Sequence, residues 1–261
     1  MDRALWISKT GLETQQTRMA IVSNNLANVS TTGFKRGRGI FQDLLYQNVR
    51  QPGGKTSQNT NLPTGLMMGS GVRTVATEKL FAQGNFIQTD NSYDLAVSGR
   101  GFFQILMPNG EIGYSRDGSF RVNSQGQLVT ASGYQVQPGI TVPSNALSVS
   151  ISNDGIVSAV IPGNAQQNQL GNIQLADFVN PQGLQPIGEN LYVETASSGP
   201  PNVSAPGVQG MGTVQQGSLE SSNVNVVNEL VNMIETQRAY EMNSKAVAAV
   251  DGMLQNLSQT V

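Results

Sequence analysis

Asp94, Glu111, Asp117 and Asp154 are the side chains with the clearest claim on chemistry. Two carboxylates held about 5–9.5 Å apart are the machinery of glycoside hydrolysis, one acting as acid and the other as base or nucleophile. All four lie in or near turn sequences such as Asn109-Gly110, Asp117-Gly118 and Asp154-Gly155. Asp is expected there anyway, because its side chain bonds its own turn backbone. Lys35, Arg36 and Arg38 form a short basic cluster. A phosphate or nucleic-acid site is conceivable, but a solvated or partner-facing loop is the plainer reading without interleaved aromatics and a basic domain. Gly99-Arg100-Gly101 lacks the further glycine and the helix of a dinucleotide fingerprint, and no Walker loop occurs.

Composition excludes more than the motifs offer. The 261 residues include no His and no Cys. A thiolate nucleophile, a disulfide framework, a Cys/His zinc site and a Ser-His-Asp triad are therefore ruled out. The net charge of −2 argues against a general nucleic-acid binder. No catalytic residue, cofactor or metal ligand is assigned, and no small-molecule substrate is expected. Charged residues are scarce, at 12%, while Asn and Gln supply 49 positions and Gly 29. The charge is split, with a balance of +6 over residues 1–80 and −8 over residues 81–261. Such a split could steer one copy's head toward another copy's tail.

The elements that must position any site begin at the chain ends. Leu5, Leu12, Met19 and Leu26 recur at a period of seven, with Met1, Ser8, Gln15 and Val22 as a half-polar companion seam. Val226, Met233, Tyr240, Val247, Leu254 and Val261 repeat the period at the C-terminus, and the seam Leu230, Gln237, Ser244, Asp251 and Ser258 is expected beside them. A strict heptad favours a left-handed coiled coil. Ordinary helices on one globular domain remain the alternative. Between the ends, residues 72–215 read as β structure, with short runs such as Phe102 to Met107, Leu147 to Ile151 and Ile173 to Phe178 alternating with turns. Asn109-Gly110 predicts a type I′ hairpin. The spacing suggests a meandering all-β domain, a distorted barrel or roll. Residues 49–71 are polar, turn-rich and nearly core-free, which suits either a flexible linker or an ordered extension that packs on a neighbour.

The fold expected is therefore α+β, with terminal helices forming a coiled-coil stem around an inserted all-β domain. The divisions are 1–32 for the N-terminal helix, 33–71 for linker and extension, 72–215 for the β domain and 216–261 for the C-terminal helix. No run of 18 apolar residues occurs, so no membrane span is expected. The N-terminus lacks an apolar core of useful length, so no cleaved signal is expected, which taken alone reads as cytoplasmic.

The segment from Ser23 to Arg36, Ser-Asn-Asn-Leu-Ala-Asn-Val-Ser-Thr-Thr-Gly-Phe-Lys-Arg, resembles the signature of bacterial flagellar basal-body rod proteins. Val224 to Val247, with Glu229-Leu230-Val231-Asn232-Met233-Ile234 and Gln237-Arg238-Ala239-Tyr240-Glu241, is similar to the same family's terminal signature. Gly101-Phe102-Phe103 and Tyr114 to Phe120 fit its β domain. Leu44 to Gly53 and Leu62 to Gly65 are similar to the distal-rod branch, with the proximal rod as the nearest alternative. The resemblance implies a structural subunit, not an enzyme, whose copies stack helically into a hollow, rigid drive shaft carrying torque from motor to hook. It implies partners too: further copies, proximal rod proteins, the hook protein and hook–rod junction, and the surrounding peptidoglycan and outer-membrane ring proteins. It places the product in the flagellar basal body, from periplasm to outer membrane, exported by the flagellum's own type III apparatus without signal cleavage. A cell-wall glycan hydrolase or a surface adhesin is the reading from another class. The subunit interface implied comprises Leu5, Leu12, Met19, Asn25, Leu26, Asn28, Phe34, Val226, Leu230, Met233, Arg238, Tyr240, Val247 and Leu254.

Overall fold

Helix first, β-rich middle and helix last is the order found, an α+β chain. A computed structural model describes residues 2–53, 63–162 and 167–259. Met1 and Val261 of the heptad series, and residues 54–62 of the polar extension, lie outside the described residues. The chain falls into two compact units: Met1–Leu26, Gly37–Glu78 and Val226–Val261 form unit 1, while Ala27–Arg36 and Lys79–Asn225 form unit 2.

Unit 1 holds α1 (Asp2–Ala27), β1 (Gly37–Asp43), β2 (Gln47–Arg50), β3 (Leu66–Met68), β4 (Val72–Lys79, apart from its last residue) and α2 (Val226–Gln259). Both helices are free of proline, and Asn225 immediately precedes α2. At 1.5 Å per residue, the 34 residues of α2 extend about 50 Å. β1 pairs with β4, and β2 with β3 in antiparallel register, Gln47 opposite Met68. The extension flanks are thus strands of a hairpin. No helix is long and apolar enough to cross a membrane, among the described residues.

Unit 2 carries β5 (Phe86–Gln88), β6 (Leu95–Ser98), β7 (Phe102–Leu106), β8 (Ile112–Ser115), β9 (Arg121–Val122), β10 (Leu128–Val129), β11 (Gln135–Gln137), β12 (Ser148–Ile151), β13 (Ile156–Val160), β14 (Asn168–Asn172), β15 (Leu175–Asp177), β16 (Gln185–Gly188), β17 (Leu191–Val193), β18 (Asn202–Ser204), β19 (Thr213–Gln216) and β20 (Ser218–Glu220). Among the described residues the main sheet runs β16-β17-β8-β7-β11-β10-β9, with β15 also on β7 and β18 outside it. The path does not close, so the barrel expectation gives way to an open, two-faced sheet. β7 sits at its centre and is buried on both faces. Phe103 and Ile105 enter one core with Leu95, Phe120, Val136 and Leu175. Phe102 enters the other with Tyr114, Phe178 and Tyr192. Side chains alternate along a strand, so one strand feeds two cores.

The turn chemistry departs from expectation at Asn109-Gly110. Gly110 has φ +85° while Asn109 stays at negative φ, and Gly110 N donates to Met107 O at 2.9 Å. A type I′ turn needs positive φ at both residues. Pro108 presets φ near −65° at the first central position, so a type I turn closed by a left-handed glycine wins. The two-residue turn with both φ positive is instead Glu189-Asn190, at +53° and +59°, joining β16 to β17.

Candidate functional site

The polar and apolar stripes of the two helices decide what this protein offers to a partner. α1 and α2 run antiparallel within unit 1. Gly11 lies against Asn243, Arg18 reaches Glu235 at 3.8 Å, and the Asn25 amide donates to Glu229 at 3.3 Å. As the number rises along α1 it falls along α2. The seam of α2 that turns inward is Met233, Tyr240, Val247, Leu254 together with Glu229, Thr236, Asn243 and Val250. These alternate at spacings of four and three, the spacing of an a/d seam. The companion series expected from sequence, Leu230, Gln237, Ser244 and Asp251, is exposed instead. Both choices flank the same apolar heptad, and the polar groups that α1 presents favour the first. Glu229 and Thr236 are almost wholly buried.

Asn25 organises the start of this pairing. Its Nδ2 donates to Gly37 O at 2.9 Å and its Oδ1 accepts from Gly37 N at 2.8 Å, while the same amide meets Glu229. One side chain thus fixes the end of α1, the beginning of β1 and the first turn of α2. An acidic residue near a helix N-terminus also complements the helix dipole. Thr10 and Thr14 are buried and satisfied locally, Thr10 Oγ1 donating to Ile7 O and Thr14 Oγ1 to Thr10 O.

Leu5, Leu12, Met19 and Leu26 are each half-buried along α1. Asn28 is half-buried in unit 2, where its Oδ1 accepts from Thr31 Oγ1 at 3.2 Å. Phe34 is buried there, with Lys79 Nζ 4.1 Å over its ring. Arg238, Val226 and Leu230 are exposed. The structure therefore brings Met233, Tyr240, Val247 and Leu254 onto the inner seam, leaves Val226, Leu230 and Arg238 outside it, and keeps Asn25 and Phe34 interior.

Apart from Leu230, the sequence pattern did not single out an outer apolar stripe. Val227, Leu230, Val231 and Ile234 are all exposed at spacings i, i+3, i+4 and i+7, which is one helical face. Val227 is 68% exposed. The spacing was visible in sequence, but the heptad series beside it is the longer pattern and drew the assignment. A second exposed group, Leu45, Tyr46, Val49, Leu66 and Met67, clusters on and beside the β2–β3 hairpin.

Three of the four carboxylates bond within their turns, and Asp154 lies in the turn between β12 and β13. Asp94 accepts from Thr89 Oγ1 and Asn91 Nδ2, both at 2.8 Å. Glu111 accepts from Asn109 Nδ2 at 2.8 Å, and Asp117 from Ser119 N at 3.0 Å. The basic cluster divides: Lys35 is fully buried rather than solvated, because Glu220 supplies its counter-charge at 2.6 Å. Arg38 remains exposed and pairs with Glu78.

Three family models match consecutive parts of the chain. Residues 6–35 match the flagella basal body rod protein model, residues 96–159 the flagellar hook protein FlgE/F/G D1 domain, and residues 215–260 the C-terminal domain of flagellar basal body rod FlgEFG proteins. The flagellar basal-body rod protein FlgG of Buchnera aphidicola (Schizaphis graminum) is 55% identical over 259 residues, 99% of this chain and all of the relative. The chain belongs to the flagellar basal-body rod protein family. In Caulobacter vibrioides two relatives separate the branches. Its FlgG is 46% identical over 258 residues, 98% of each chain, and its FlgF 34% over 252 residues, 94% of this chain and 92% of the relative. The resemblance is thus to FlgG over FlgF within one organism. This is a structural family of the basal body, not an enzymatic one, so the turn carboxylates have no catalytic part.

Proposed function

We propose that the chain is a structural subunit of the flagellar distal rod, self-assembling helically into a hollow, rigid shaft that transmits torque from motor to hook. The observation that carries this is the 46% and 55% identity, over nearly the whole chain, to rod proteins named FlgG, joined to a helix pair whose outer face is apolar. The pair α1–α2 forms the coiled-coil stem. The stem is drawn from the two helices of unit 1, with β1 to β4 as its linker and extension, and unit 2 is the β domain. Val227, Leu230, Val231 and Ile234 meet neighbouring copies, with Val226 and Arg238 beside them. Half-buried Leu5, Leu12, Met19 and Leu26 complete burial against the same neighbours. A head-to-tail contact of this kind leaves a filament open at its growing end, whereas a closed ring would stop it.

The partners follow from place. Proximal rod proteins lie below, the hook protein and hook–rod junction above, and peptidoglycan and outer-membrane ring proteins around. The subunit works from periplasm to outer membrane and leaves the cell through the flagellar type III apparatus. Electron microscopy of the concentrated protein tests the reading. Regular hollow filaments are expected from the wild type, and none from Val231→Glu/Ile234→Glu, whose monomer keeps its helix content. Monodisperse particles from the wild type under all assembly conditions would overturn it.

A further inference from the structure

Unit 2 contains a buried ionic node that the assembly surface does not use. Lys35 and Glu220 are fully buried and Arg116 nearly so. Lys35 Nζ donates to Glu220 Oε1 at 2.6 Å and to Ala82 O at 2.9 Å. Arg116 Nη1 donates to Glu220 Oε2 at 3.4 Å and to Val97 O at 3.2 Å, and Nη2 to Gly99 O at 2.6 Å. Gly84 N donates to Glu220 Oε1 at 2.8 Å, and Gly33 N to the Glu220 carbonyl at 2.8 Å. Asn223 extends the node: its Oδ1 accepts from Arg36 N at 2.7 Å, and its Nδ2 donates to Leu80 O at 2.8 Å and Ala82 O at 2.9 Å. Leu80 N in turn donates to Arg36 O at 2.9 Å, and Lys79 Nζ to Lys35 O at 3.0 Å.

The three segments so joined, 33–36, 79–84 and 220–223, have one property in common. The chain passes between its two units after Arg36, before Lys79 and after Asn225. Three of its four crossings therefore emerge from one buried knot of charge and hydrogen bonds inside unit 2. Burying two cations and one anion is expensive, and a well-packed apolar cluster would hold a core equally well. What charge-assisted bonds add is direction, because each fixes the orientation of the backbone that it touches. We infer that this node is a mechanical anchor inside unit 2, which holds the unit 2 ends of three covalent crossings together so that load enters the unit through all three. The inference rests on the proposed role as a shaft subunit. A part that transmits torque cannot afford three independently yielding linkers.

Trypsin provides a test in the monomer, since Lys35, Arg36 and Lys79 are its sites on two of the crossings, while Arg121 on β9 reports opening of the main sheet. Glu220→Gln risks unfolding the unit, because it leaves two buried cations without an anion, so Asn223→Ala is the primary variant. It removes three hydrogen bonds and keeps the ion cluster. Cleavage from a locally opened state follows its population, so the rate at Lys35 and at Lys79 should rise together by about tenfold, with Arg121 unchanged. Cleavage that rises at only one crossing, at neither, or equally at Arg121 overturns the anchor. In assembled filaments the same variant should lose bending stiffness relative to the wild type, and equal stiffness counts against the anchor. Failure of the wild type to form filaments would sink the shaft reading and leave the trypsin result standing.

Discussion

Gly33 stands at φ +69°, and a β-carbon there would come 2.6 Å from the Asp117 backbone nitrogen. Both the left-handed backbone and the close approach demand glycine. Gly33→Ala should therefore destabilise unit 2 by about 2 kcal/mol or more, read from tyrosine near-UV dichroism in urea. An unchanged urea midpoint would contradict this. The tyrosines of the second core supply a separate expectation. Burial pushes the phenol of Tyr192 up to about 12, and burial with the nearby Glu194 charge does the same for Tyr114. Below pH 10 folded and unfolded chains both hold these protons, so the stabilisation is complete. Between pH 10 and 12 the unfolded chain releases protons that the folded chain keeps, and stability falls by about 1.4 kcal/mol per pH unit for each phenol at most. Burial of Lys35 and Lys79 lowers their pKa values and acts in the opposite sense below pH 10.5. Tyr192→Phe should flatten the decline above pH 10 in alkaline unfolding followed by far-UV dichroism. A variant that loses stability as steeply as the wild type would exclude Tyr192 as its source.

The helix pair is bound by a mixed seam. Thr10, Thr14, Asn25, Glu229 and Thr236 are buried in it, and they leave less apolar area than a Leu-rich coiled coil provides. Such a pair is marginal alone and should gain stability when neighbours cover its outer stripe. Hydrogen exchange in residues 3–25 and 228–255 should accordingly slow on polymerisation and be fast in dilute monomer, and full protection in the monomer would refute this. The heptads that locate both helices were legible because apolar period survives any context. The pairing face was not, since 226/230 and 229/233 are equally good partitions of one repeat, and Asn25 with Glu229 decides between them only in three dimensions. The strands at Phe102, Ser148 and Leu175 were legible from alternation and turns. The burial of Lys35 was not, because its counter-charge lies 185 residues away at Glu220.

For the molecule as a whole, stiffness depends on how many independent contacts tie each copy to the next. In the proposed assembly the outer stripe of α2 gives one set, and the hairpin β2–β3 offers another on a separate element. Around it Leu45, Tyr46, Val49, Leu66 and Met67 are exposed, and Arg50 and Arg73 lie on strands of the same unit. Clustered exposed apolar groups mark a contact surface, and the basic balance of residues 1–80 against the acidic balance of residues 81–261 favours another copy as its partner. Two contacts on different elements resist bending where one would act as a hinge. Deletion of residues 45–67 removes β2, most of β3 and all five exposed apolar residues, but none of the helix seam, the two cores or the Lys35–Glu220 node. Secretion and the unfolding of unit 2 should then match the wild type, while filaments grow with a shorter persistence length by electron microscopy. Straight filaments of unchanged stiffness would show that the helix stripe alone carries the bending load.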